Sequence, residues 1–346
     1  MSKLIGRSAI PVATFPAGPA TTNKVQLDST VVLKIIKSAS DAYPSPISGQ
    51  LLGLEEENVL SVSHAFPFPP SANDNEGLGI RSKSVQKYQN DILYHLKAIN
   101  VDINTVGYFI STNLGKLFNI NTIETLLSYQ ASNPNAVLIV NDVSQTLASG
   151  LSLHAYRLSE SFIAARKEGK FTTESLTKNS LSYHNIFDKL PIEIHNSHLV
   201  TFFLQSLEAS NLEKAPSASF ENNFDNLNIS IDSYLEKNIE AIFDSIDQFH
   251  TDQGNYNYYQ RQLAREKLKI QQWQHKRNVD NAQLAAAGKP TLSLDDWKNV
   301  FKLPTEPSRL DNLLVSGQID KYCSQIEEHG STVSTKLFAT RKSLNF

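Results

Sequence analysis

The amino-acid sequence predicts an α/β fold followed by long C-terminal helices. Residues 105–110 are an aromatic and β-branched run, residues 120–129 carry apolar residues at helical spacing, and residues 136–140 are an uninterrupted apolar run. A strand, a helix and a buried strand in this order are typical of a sheet covered by helices. Beyond residue 225, apolar residues recur at alternating steps of four and three, which is typical of helices that pack along other helices.

The segments before this central unit continue the alternation of strands and helices. Residues 25–27 predict a first strand, and the following Asp28 or Ser29 can cap a helix. Two runs at 48–54 and 59–66 predict a hairpin, and apolar residues at helical spacing between 85 and 99 predict a helix on the sheet.

The segments after residue 142 extend the same domain. Residues 151–157 alternate as a strand does, residues 190–194 predict another strand, and a strongly apolar helix over 199–207 is expected to close the domain. The polar stretch 166–178 is interpreted as a surface insertion. We therefore expect four regions: a flexible N-terminal segment 1–24, an α/β domain 25–209, a linker 210–225 and a helical region 226–346.

The helical region carries the residues that we expect to bind partner chains. A helix from 226 to 286 would be roughly 90 Å long at about 1.5 Å per residue, too long for the core of one compact domain. Its apolar seam would be exposed if the helix stood alone, so the seam needs a partner. The predicted seam residues, with those of the last helix, are Leu235, Ile239, Ile242, Ile246, Phe249, Leu313, Leu314 and Ile319.

A basic segment lies in the second half of the same helix. It contains Arg261, Arg265, Lys267, Lys269, Lys276 and Arg277. Two interpretations stay open at the level of sequence, contact with RNA phosphates or a solvated helix face stabilised by ion pairs.

Composition excludes several classes of protein. With 346 residues, of which 40% are hydrophobic, the chain can bury a sizeable core. A net charge of -3 argues against a protein that binds nucleic acid over its whole surface. The single Cys323 excludes an intramolecular disulfide and favours a reducing compartment. No apolar run approaches the length of about 20 residues that a membrane span needs, and no signal-peptide core is present at the start, so we expect a cytoplasmic protein.

The central strand resembles that of the MPN (Mov34) domain family. Gly107-Tyr-Phe-Ile-Ser-Thr-Asn113 is similar to the Gly-Trp-Tyr-His-Ser-His-Pro strand of active members, and Gly49-Gln-Leu-Leu-Gly53 is similar to an earlier strand of the family. The resemblance implies a mixed sheet with covering helices. Active members are zinc-dependent isopeptidases that remove ubiquitin-like proteins.

The resemblance also implies an inactive branch of the family, because the positions that bind and use zinc differ. Ile110 and Thr112 stand where two histidines bind the metal, Ile123 where an aspartate does, and Pro46 where a glutamate acts as general base. Zinc takes nitrogen, sulfur or carboxylate oxygen, so neither an isoleucine nor a proline can replace these groups. We expect a pseudoenzyme with no metal and no cofactor.

Further segments resemble one non-catalytic branch, whose members belong to large assemblies. These segments are Phe66–Pro69, Gly107–Thr112, Ser152–Leu158, Asn196–Leu199 and Arg309–Cys323. The resemblance implies a cytosolic scaffold that acts in translation initiation on the small ribosomal subunit, pairs with a second MPN protein and bundles its helices with neighbouring chains. A non-catalytic MPN component of a proteasome-lid or signalosome-type assembly is the alternative.

Overall fold

The computed structural model describes residues 22–56, 58–69, 83–99, 101, 104–214, 233–286, 293 and 296–344. Within these ranges the chain forms a single curved sheet with helices on it, then a pair of long helices. The strands are β1 (Lys24–Asp28), β2 (Ile47–Glu56), β3 (Val59–Pro67), β4 (Thr105–Thr112), β5 (Val137–Asp142), β6 (Leu153–Leu158), β7 (Phe187–Leu190) and β8 (Ile192–His195). The helices are α1 (Ser29–Ala42), α2 (Lys83–Ala98), α3 (Ile120–Ser132), α4 (Val143–Ser149), α5 (Glu160–Glu168), α6 (Thr173–Lys178), α7 (His198–Lys214), α8 (Ser233–Ala286), α9 (Trp297–Val300) and α10 (Leu310–Leu344).

The sheet is mixed, as predicted. Its strand order is β7-β6-β5-β4-β2-β3-β1-β8, with β1 parallel to β3 and β8, β4 parallel to β5, and the other pairs antiparallel. Only Pro191 separates β7 from β8, although these strands occupy the two ends of the order. The sheet must therefore curve until its two edges approach each other, and the backbone N–H of Val25 donates to the carbonyl of Pro191 at that point.

Both faces of the central strands are buried, which explains the uninterrupted apolar run at 136–140. Side chains alternate across a strand, so Leu138 and Val140 point into one cluster, while Val137 and Ile139 point into another. The first cluster lies under α3, α5 and α10, and the second lies under α1. A third, smaller cluster joins α2 to the β2–β3 hairpin.

Gly107 allows β4 and β5 to approach each other closely. Its φ is +152°, and a Cβ at this position would lie 1.9 Å from the carbonyl oxygen of Val137. Only glycine adopts this conformation without strain. The glycine of the MPN-like strand is thus required by the packing of the sheet, whether or not the neighbouring positions bind a metal.

Several sequence predictions need correction. The polar stretch 166–178 is not an insertion, because it contains the end of α5 and all of α6, and Phe171 is buried in the first cluster. Thr22 is buried and bonded to Asn135, so the flexible lead-in does not reach residue 24, while residues 1–21 lie outside the described residues. Residues 210–214 of the predicted linker are helical, and the rest of it lies outside the described ranges.

The prediction that the helix over 199–207 closes the domain is wrong. The hydroxyl of Ser197 caps α7, accepting a hydrogen bond from the backbone of Val200. However, Leu199 is 83% exposed and Phe202 is 72% exposed. The sheet faces are already covered by other helices, so α7 presents its apolar side chains to the surface.

Candidate functional site

The four positions that the resemblance identifies as degenerate metal-site positions lie around the end of β4. Ile110 is fully buried on β4, and Ile123 is buried in the first turn of α3. Thr112 ends β4, and its hydroxyl has no hydrogen-bond partner among the described residues. Pro46 is exposed directly before β2, whose first residue Ile47 pairs with Ser111. The fold thus brings these positions to one end of the sheet.

An apolar cluster surrounds Ile110 and Ile123, which the family resemblance assigns to metal-ligand positions. Ile110 and Ile123 belong to the same buried cluster as Tyr108, whose hydroxyl donates to the carbonyl of Thr122 at 2.7 Å. Burial raises the pKa of Tyr108 well above its ordinary value. The nearest carboxylate in sequence, Glu124, forms an ion pair with Arg166 at 3.3 Å. Isoleucine offers no lone pair to a metal, so Ile110 and Ile123 do not fit as zinc ligands.

The last helix, α10, packs into this same cluster. Leu310, Leu313 and Leu314 are buried in it, and burying each leucine is worth roughly 1.5–3 kcal/mol. The backbone N–H of Arg309 donates to the carbonyl of Phe171 at 3.0 Å, which positions the first turn of the helix. The N-terminal half of α10 is therefore part of the α/β core.

Two glutamines of α10 bind the end of the sheet, Gln318 at the loop between β4 and α3 and Gln325 at the end of β5. The side-chain oxygen of Gln318 accepts from the backbone of Leu117 and Phe118, both at 3.2 Å, and its amide donates to the carbonyl of Gly115 at 3.2 Å. Gln325 donates to Asp142 at 2.8 Å. Gly115 has φ +62°, and a Cβ there would lie 2.6 Å from the Gln325 amide. The helix thus covers the loop that follows the degenerate strand.

Asp142 joins β5, α4 and α10. One oxygen caps α4, accepting from the backbone of Ser144 and Gln145 at 3.0 and 3.2 Å. Burial raises the pKa of Asp142, opposed by hydrogen bonds from Gln145, Gln325 and Ser144 and by the charge of Lys321. Burial also lowers the pKa of Lys321. These groups hold α10 on the sheet, and no sequence motif singled them out.

Replacing Asp142 by Asn tests this carboxylate. Because the folded pKa lies above the unfolded value, the folded chain binds more protons between the two, and stability is lost as pH rises through that interval. The amide keeps the capping oxygen, and the side-chain oxygen of Gln325, which has no partner among the described residues, can accept from the new nitrogen. We expect the unfolding free energy of Asp142→Asn, relative to the natural chain, to rise as pH increases above the ordinary pKa of an aspartate, about 4, in denaturant titrations. A relative fall over that range would contradict the assignment.

The helix α8 runs along α10. The guanidinium carbon of Arg309 lies over the ring of Tyr256, 4.4 Å from the ring centroid. Asp252 and Asp311, one on each helix, repel each other electrostatically. Nearer the start of α8, the negative charge of Asp244 acts on the hydroxyl of Tyr322 of α10. Residue numbers rise along one helix as they fall along the other, so the two helices are antiparallel.

The predicted partner-binding seam is divided by this pairing. Leu313 and Leu314 are buried in the core of the same chain, so their assignment to a partner surface was wrong. Ile319 is half-buried, as are Leu235, Ile242 and Phe249. Ile239 and Ile246 are exposed, and Phe243 beside them is 64% exposed. The residues of the heptad pattern lie at the border of the α8–α10 contact. Those on one side of the pattern, Ile239 and Ile246, are exposed to solvent.

No helix among the described residues has the length and apolarity of a membrane span.

Two protein-family models match successive parts of the chain. A family model described as JAB1/Mov34/MPN/PAD-1 ubiquitin protease matches residues 20–135, and one described as the C-terminal region of eIF3h matches residues 146–345. The second match begins in α4, so it includes the later strands as well as α8 and α10.

Three named relatives align with the chain over most of its length. Proteins named as the H subunit of eukaryotic translation initiation factor 3 are 48% identical in Yarrowia lipolytica, 42% in Coccidioides immitis and 39% in Aspergillus niger. The alignments cover 94%, 92% and 92% of this chain and 99%, 95% and 95% of the relatives. The chain therefore belongs to the eIF3h family, the H subunits of eukaryotic translation initiation factor 3.

Proposed function

We propose that this chain is a non-catalytic scaffold component of the eukaryotic translation initiation factor 3 complex, acting in the cytoplasm in translation initiation on the small ribosomal subunit. The observation that carries the proposal is the similarity to eIF3h proteins along 94% of the chain. It includes α10, which packs into the same core as the degenerate strand. The sheet domain and α10 therefore belong to one folded unit.

The absence of catalysis follows from chemistry at the degenerate positions. Isoleucines at 110 and 123 offer no lone pair to a metal, and Pro46 has no proton to exchange. The apolar cluster at this place stabilises the fold and supports α10. The domain is an MPN pseudoenzyme whose former site has become part of the core.

Two exposed apolar surfaces support the role of a scaffold. On α7, Leu199, Phe202 and Phe203 are exposed on the MPN half of the chain. On α8, Ile239, Phe243 and Ile246 follow steps of four and three and share one helix face. Exposed apolar patches of this kind mark interaction sites. We assign α7 to pairing with the other MPN protein of the complex, its F subunit, and the α8 face to helices of neighbouring chains.

Affinity purification of the tagged full chain from its own cells tests this assignment. We expect mass spectrometry to find the other components of initiation factor 3, the F subunit among them. The double variant Ile239→Asp with Ile246→Asp should keep the F subunit and lose helical neighbours, because burying two charges against apolar helices is costly. A control, Gln248→Asp with Asn255→Asp, adds the same charge at exposed polar positions of α8 and should keep both.

Two results would contradict the proposal. Components of a proteasome lid or signalosome in place of those of initiation factor 3 would support the alternative assembly. Loss of the F subunit together with the helical neighbours in the α8 variant would show that the two surfaces do not act separately.

A further inference from the structure

One side of the distal half of α8 carries a row of basic side chains that the scaffold role does not explain. Arg261, Arg265, Lys269 and Lys276 are all exposed. Their spacing of four, four and seven residues places them on one face of the helix, over about 22 Å at a rise of about 1.5 Å per residue. We call these four residues the basic stripe. Tyr258, which is 62% exposed, lies on the same face one turn before it.

The described contacts of this half of α8 show which sides of the helix face the rest of the chain. Trp273 meets the ring of Phe301, with ring centroids 6.3 Å apart, and Arg277 binds Asp296 at 3.1 Å. Ile270 is buried. At about 100° per residue, Ile270 lies about half a turn from Arg261, and Arg277 lies about a third of a turn from Arg265. Arg261 and Arg265 therefore point away from these two contacts, whereas Trp273 lies on the same side of the helix as Lys269, which is itself exposed.

The charge of the basic stripe is not balanced by its neighbours. Lys269 pairs with Glu266 at 2.7 Å, but Arg261, Arg265 and Lys276 have no carboxylate partner in the ranges that the structure describes. Glu266 is the only acidic residue between 257 and 279. A solvated helix face usually alternates charges, whereas like charges four residues apart destabilise a helix. Arg261, Arg265 and Lys269 form such a row of like charges. An anionic ligand would reduce the electrostatic repulsion between them.

We propose that the basic stripe binds the phosphate backbone of single-stranded RNA, with Tyr258 stacking on an unpaired base. Guanidinium groups pair with phosphate in a bidentate manner, and an exposed aromatic beside a basic track is the combination that single-strand binding uses. The exposed tyrosine favours RNA over an acidic protein surface, which would need only the charges. This inference goes beyond the scaffold role and does not depend on it.

Binding of a fluorescein-labelled oligouridylate of about 20 nucleotides to the purified full chain, followed by anisotropy, tests the proposal. The stripe variant combines Arg261→Gln, Arg265→Gln, Lys269→Gln and Lys276→Gln. Its matched control combines Lys34→Gln, Lys37→Gln, Lys87→Gln and Lys97→Gln, which removes the same charge from exposed positions of α1 and α2. Circular dichroism checks that both variants keep their helices.

We expect the stripe variant to bind at least about tenfold more weakly at low salt, while the control changes little. Four phosphate contacts contribute a slope of about -2.8 in log K against log salt for a single strand, so the slope of the variant should flatten by up to that amount. Tyr258→Ala should weaken binding about tenfold without changing the slope, because stacking releases no counterions.

Three outcomes would overturn the proposal. Equal weakening in the stripe variant and its control would assign binding to net charge. Binding of polyglutamate without binding of the oligouridylate would assign the basic stripe to an acidic protein partner. Unchanged RNA binding in a stripe variant that no longer co-purifies with the assembly would place the stripe in a contact between chains of the complex. Failure of the scaffold proposal would leave RNA binding by the full chain unaffected, so the two are distinguishable.

Discussion

Replacing Leu314 by Ala is expected to lower the unfolding free energy of the MPN domain by about 2–5 kcal/mol. Leu314 lies on α10, far along the chain from the sheet, yet it is buried in one cluster with Tyr108 and Ile110 of β4. Truncation removes buried methyl groups and leaves a cavity in a closely packed core. The loss should appear in denaturant titrations followed by circular dichroism, and as faster amide hydrogen exchange in β4 and β5.

A leucine at the other end of the same helix provides the control. Leu337 is 49% exposed, and a substitution at such a surface position usually changes stability by about 0.5 kcal/mol or less. If Leu314→Ala accelerated exchange in α10 alone and left β4 and β5 unchanged, α10 would be a tethered helix and its assignment to the core would be wrong.

Restoring the two histidines of active relatives, with Ile110→His and Thr112→His, is expected to destabilise the fold without creating a site. Ile110 is fully buried among apolar side chains, and an imidazole there loses apolar packing and buries a polar ring without a partner. Large buried residues lost from a core cost about 2–5 kcal/mol, and an unsatisfied polar group adds roughly 1–3 kcal/mol. The midpoint of chemical unfolding should fall accordingly.

The variant Ile110→Val distinguishes two causes of lost stability, the loss of apolar packing and the burial of a polar ring. This change keeps the site apolar and should cost only about 0.5–1.5 kcal/mol. A double-histidine variant as stable as Ile110→Val would show that position 110 tolerates an imidazole, and the apolar cluster would then not explain why the site is degenerate.

The central unit of the fold could be predicted because its patterns are local. The run at 136–140 is apolar on both sides of the strand, and the structure buries both sides. Alternation within 105–110 and the helical spacing of 120–129 depend on side chains a few positions apart, which the sequence displays directly. The positions of Ile110 and Ile123 followed from the family resemblance, and the fold places both in one cluster.

The role of α10 could not be predicted, because it depends on contacts about 200 residues apart in sequence. The apolar face of Leu313 and Leu314 indicated that something packs there, but a stripe on a helix does not say whether its partner is another chain or the same one. The hydrogen bonds of Gln318 to Leu117 and Phe118 leave no local signal. Exposed α7 shows the converse, since a strongly apolar helix was expected in the core and lies on the surface.

The former metal site of this MPN domain is, we infer, now part of the apolar core. Elemental analysis of the full chain, purified without chelators, tests this inference most directly, alone and beside the Ile110→His and Thr112→His variant. We expect zinc far below one ion per chain in both, because Ile123 and Pro46 still lack a ligand and a base. One zinc ion bound per natural chain, lost together with cleavage of a ubiquitin linkage on chelation, would contradict it.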